Sequence, residues 1–90
     1  MHYSKWATTK IRQIGKSVTS FVVENGLGQG TFNTAKRFDP TSANLVIFCE
    51  IINEKQGGDK ENFHALLLEA LKSTRAYHHA VERIEEVKNE

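Results

Sequence analysis

Residues 63–87 read FHALLLEALKSTRAYHHAVERIEEV, and the spacing of their apolar side chains decides the fold class. Phe63, Leu67, Ala70, Thr74, Tyr77, Val81 and Ile84 recur at intervals of four, three, four, three, four and three. Leu66, Ala80 and Val87 widen the same face. An α-helix turns once in about 3.6 residues, so this spacing lines one side of a helix, whereas a strand would scatter it over both faces. The spacing predicts a single helix over 60–87, capped by Asp59 after the turn Gln56-Gly57-Gly58. One flank of that rod then needs cover from the rest of the chain or from a second copy.

Working back along the chain, Ile11, Ile14, Val18, Phe21 and Val22 share a face, with Ala7 at its edge. They predict a helix over 5–24, with Ser4 as N-cap and Asn25-Gly26 as its stop. Residues 17–23 are rich in β-branched and aromatic side chains, which also suits a strand. The three glycines at 26, 28 and 30 mark a Gly-rich linker, and residues 31–38 have the composition for a short helical turn.

Asp39-Pro40 is a helix-start signal, because Asp favours the N-cap and Pro the first helical position. It predicts a helix over 40–55. The apolar residues Leu45 to Cys49, with Ile51 and Ile52, also suit a buried strand. They are apolar nearly all round, which predicts the most buried element. The expected architecture is all-α, a single domain over 1–90 with three helices at 5–24, 40–55 and 60–87. The alternative is α+β, with strands near 17–23 and 43–52 packed on the C-terminal helix.

Composition narrows the function classes. Ninety residues with 39% hydrophobic and 26% charged side chains suit one small globular domain. The single cysteine, Cys49, excludes a disulfide within the chain and suits a reducing compartment, so a cytoplasmic location is expected. The opening residues lack a signal-peptide pattern, and the longest apolar run is far too short to span a bilayer. His64, His78 and His79 lack the four-residue spacing of a helical metal pair, and the glycines match neither phosphate-loop pattern. No Ser/His/Asp or Cys/His signature is present. Neither enzymatic activity, a metal nor a cofactor is expected.

The net charge of +1 hides a split. Residues 1–38 hold six bases against one acid, and residues 39–90 hold ten acids against six bases. Lys5, Thr9, Arg12 and Lys16 recur along one helix face, and Lys72, Arg75, His79 and Arg83 along another. Both faces lie opposite the apolar stripes, so they form candidate binding surfaces for phosphates. Tyr3 and Trp6 are candidates for stacking on bases. Leu68 shares the outer face of His79, and the pair marks a candidate interface.

Lys10-Ile11-Arg12-Gln13-Ile14-Gly15-Lys16, taken with Tyr77-His78-His79-Ala80-Val81-Glu82-Arg83, resembles the two helices of phage hairpin proteins that sequester cyclic oligonucleotide signals. The match covers a small part of the chain, and residues 27–58 between the two stretches depart from that pattern. The resemblance implies an oligomer that holds a nucleotide with Lys and aromatic side chains.

Two functional expectations follow. The first is a small interaction module that binds a protein partner or itself, in the manner of a mobile-element or phage-type inhibitor or regulator acting as a homo-oligomer. The second is a binder of an anionic ligand, nucleic acid or nucleotide, through Lys5, Arg12, Lys16, Lys72, Arg75 and Arg83.

Overall fold

A computed structural model describes residues 2–27 and 39–88. Among the described residues five helices follow one another: α1 Tyr3–Gln13, α2 Val18–Glu24, α3 Ser42–Lys55, α4 Lys60–Lys72 and α5 Arg75–Lys88. The protein is all-α, and no strand occurs among the described residues, so the α+β alternative falls. The expected turn at 31–38 and most of the Gly-rich linker lie outside the described residues.

The expected first helix is two helices. Gly15 adopts φ +77, a conformation that a β-carbon disfavours. Its N–H donates to the Arg12 carbonyl at 2.9 Å, and the Lys16 N–H donates to the Ile11 carbonyl at 3.2 Å. This pair of backward bonds is a Schellman closure, which satisfies the carbonyls left over at a helix end. The same closure ends α2 at Gly26 and α3 at Gly57. The chain restarts at Ser17, whose hydroxyl accepts from the Ser20 N–H at 3.2 Å. At the N-terminus the cap residue is His2, and Ser4 lies inside the helix.

The expected last helix also divides. Ser73 and Thr74 are both buried, and their hydroxyls donate back to the Ala70 and Leu71 carbonyls, each at 2.6 Å. Such local bonds compete with continuation of a helix. The Thr74 hydroxyl oxygen then accepts from the Tyr77 N–H at 3.2 Å, beginning α5.

Asp39 completes that restart rather than the one expected of it. α3 is capped by Thr41, whose hydroxyl accepts from the Asn44 N–H at 3.2 Å. The Asp39 carboxylate instead accepts from the Arg75 N–H at 2.7 Å and the Ala76 N–H at 2.9 Å. It meets two orphan donors and the positive end of the α5 dipole. Asp39→Ala should cost about 1 kcal/mol, within the range of lost helix caps. Amide hydrogen exchange should show faster exchange in the first turn of α5 and unchanged protection in α3. Equal loosening of both helices would contradict this assignment.

The core gathers one face from each of the first four helices. α1 gives Tyr3, Trp6, Ala7 and Ile11; α2 gives Phe21; α3 gives Leu45, Phe48, Cys49 and Ile52; α4 gives Leu66 and Ala70. Phe48 is the hub, with ring centroids 6.2 Å from Tyr3, 5.7 Å from Trp6 and 5.6 Å from Phe21. All three pairs meet edge to face, the arrangement that the ring quadrupole favours. The inner face of α3 is buried, while Val46 and Ile47 face outward. Core residues of α1, α2 and α4 cover its inner face, and Val46 and Ile47 are not part of that core.

Candidate functional site

The second half of the C-terminal stripe decides where a site can lie. In α5, Tyr77, Val81, Ile84 and Val87 fall on one side of the helix, with Ala80 between them. No residue of α5 is buried. Tyr77 is 40% exposed, Ile84 55% and Val87 58%, and Val81 is half-buried. The covered rod expected over 60–87 is therefore corrected: its first half, Leu66 and Ala70, is in the core, and its second half lies open.

Polar groups border this face. His78 and Glu85 lie along one edge, and Arg83 lies beyond the other, held to Glu86 at 3.0 Å. The Tyr77 and His78 rings meet edge to face at 5.9 Å. Behind the edge, His2, Arg75, His78, His79 and Glu82 line a small cleft of about 130 Å³. His79 is exposed there, on the side away from the apolar face. Among the described residues no three His, Cys, Asp or Glu side chains are placed to hold a metal ion. No described helix is long and apolar enough to cross a membrane.

The cationic faces fare differently from expectation. Lys72 closes α4, whereas Arg75, His79 and Arg83 belong to α5, so the break at Ser73-Thr74 interrupts the C-terminal stripe. Lys16 stands beyond the Gly15 closure, outside the helix that carries Lys5 and Arg12, and its ammonium donates to Glu24 at 3.1 Å. Lys5, Arg12, Lys72 and Arg75 are exposed. Tyr3 and Trp6 are corrected outright: both are buried in the core, so neither ring is open for stacking on a base. Leu68 is exposed at 45%, as its outward position implied.

Two polar features had no periodic signal in the sequence. Lys10 lies 5.9 Å over the Trp6 ring and 3.4 Å from Glu69, roofing α1 against α4. Asn62 donates to Asn53 Oδ1 at 2.6 Å and to Gln56 Oε1 at 2.9 Å, tying α4 to the end of α3. Beside that network an open cleft of about 460 Å³ is lined by Glu50, Glu54, Asp59, Lys60 and Phe63, among others. Such amide contacts form across a turn, and only the Asn residues on either side of Gly57-Gly58 hint at them.

Two core groups are shifted by burial. Burial raises the Tyr3 hydroxyl far above the ordinary range, with Cys49 adding to the effect. Burial also pushes the Cys49 thiol from 9.0 up to about 11, and the negative charge of Glu69 adds to that. Both shifts favour the neutral form in the folded chain. Their stabilisation is complete while the unfolded groups are neutral, and it is lost as pH rises from the unfolded to the folded pKa. For Cys49 that window runs from about 9 to about 11. Urea midpoints should hold steady up to pH 9 and fall above it, and Cys49 should resist thiol reagents at pH 8 until the chain is denatured. Rapid modification of the native protein would refute the burial.

Comparison with protein-family models, curated proteins and solved structures gives no match for this chain.

Proposed function

We propose that this chain is a non-enzymatic interaction module that binds a macromolecular partner through the apolar face of α5. One observation carries this reading. A 14-residue amphipathic helix has no buried residue, and its apolar side presents Tyr77, Ile84 and Val87 to solvent. Laying an amphipathic helix into a complementary apolar surface is a recurrent mode of recognition. Contiguous apolar surface left open at the cost of hydration marks such places.

The anion-binding alternative draws less support. Its two stacking rings are in the core, its C-terminal stripe is split between helices, and Lys16 and Arg83 are held by Glu24 and Glu86.

Ile84→Glu is the test, because it places a charge at the centre of the exposed face while leaving the core untouched. Full-length bait, native and Ile84→Glu, should be compared in extract treated with nuclease. A protein retained by the native chain and lost with the variant is the expected result. Identical retention, or material that disappears with nuclease, would overturn the proposal.

A further inference from the structure

Resting on that reading, we infer that the occupant of the α5 face is the α5 helix of a second copy of this chain, packed antiparallel. In this arrangement Val81 of each copy faces Ile84 of the other, and Tyr77 faces Lys88. The spacing supports it first. Tyr77, Val81, Ile84 and Lys88 recur at four, three and four, the seam spacing of two packed helices. Ala80 and Val87 lie along one side of that seam, and His78 and Glu85 along the other.

Polar complementarity then fixes the direction. In an antiparallel pair, side positions of the same kind face each other from opposite ends. His78 of one copy therefore stands beside Glu85 of the other, twice over, and Ala80 beside Val87. Lys88 lies across from the Tyr77 ring, where its stem packs on the ring and its ammonium meets the π face. A parallel pair would set Lys88 against Lys88 and leave Glu85 beside uncharged Ala80. Antiparallel packing also brings the positive dipole end of each α5 to the negative end of its partner.

The available area sets the strength. Fourteen residues span about 21 Å. A seam of that length falls short of the roughly 800 Å² per partner of a standard interface, which places the pair among weak, concentration-dependent associations.

Sedimentation equilibrium of the full chain, run from about 10 µM to about 1 mM, spans the range in which such an interface fills. The average mass should climb from 10.2 kDa toward twice that value. Ile84→Glu should stay at the monomer mass with unchanged helical circular dichroism. Direction is read by mixing a Tyr77→Cys chain with a Lys88→Cys chain under mild oxidation. Mixed disulfides should outpace self-linked ones. The native chain remaining at the monomer mass throughout would overturn self-pairing; if its extract partner is still lost with Ile84→Glu, the docking face itself survives. Self-linked products in excess would overturn the antiparallel arrangement.

Discussion

Phe48→Ala should lower the unfolding free energy by about 3–5 kcal/mol, as removal of a buried aromatic side chain does when neighbours cannot close the cavity. Phe48 is positioned for the full effect. It is 3% exposed, and its ring meets Tyr3, Trp6 and Phe21 edge to face. Removing it leaves three rings from two other helices without their common neighbour. Each ring pair adds about 0.5–1.5 kcal/mol beyond area burial. A chain of 90 residues has a total stability of order 5–13 kcal/mol. The variant should therefore lose about a quarter or more of its urea resistance, with a lower midpoint and little change in slope. A shift corresponding to less than about 1 kcal/mol would remove Phe48 from its place as hub.

Gly58→Ala is expected to cost about 1–3 kcal/mol, the scale of overpacking. The backbone there has no positive φ, so the cause is space alone. An added β-carbon would collide with Asn53 Oδ1, Asn62 Nδ2 and Asn62 Cβ. Those amides cannot retreat freely. Asn53 Nδ2 donates to the Asp59 carbonyl at 3.2 Å, while Asn62 Nδ2 already serves two acceptors. The melting temperature should fall by several degrees, since about 1 kcal/mol shifts a domain of this size by about 4–8 °C. Combining Gly58→Ala with Asn53→Ala gives the sharper check, because the Asn53 amide oxygen is the nearest of the three atoms. With the Asn53 amide gone, the added methyl should cost visibly less than in the native chain. Strict additivity would place the strain elsewhere.

The all-α character and several joints were legible in local signals. Asp59 caps α4 as expected, its carboxylate accepting from the Asn62 N–H at 2.9 Å. The Gln56-Gly57 turn also falls where the glycine pair placed it. The two divided helices were not legible, for one reason. Apolar spacing continues in phase through Gly15 and through Ser73-Thr74, so periodicity cannot detect the interruption. What ends each helix is a glycine closure in one case and hydroxyl back-bonds in the other. Both are local hydrogen-bond choices that carry no period.

Asp39 shows a different boundary. Its residue type and its proline neighbour announced a helix cap, yet the helix it caps begins 36 residues later in the chain. That choice belongs to tertiary geometry. The candidate face was half legible. The stripe in α5 identified an amphipathic helix, but spacing alone says nothing about which stretch of a stripe the remaining chain will reach. Tyr3 and Trp6 were misplaced because aromatic side chains near a cationic face fit a stacking platform and a core equally well by composition.

The one tryptophan, Trp6, sits beside Phe48, and α5 contributes nothing to that core. Indole emission therefore follows the core that α1 to α4 build and ignores α5, while circular dichroism reports α5 along with the other helices. Titrated side by side, the two signals should part company if α5 melts early, giving the chain an intrinsic gauge of its outermost segment without any attached label.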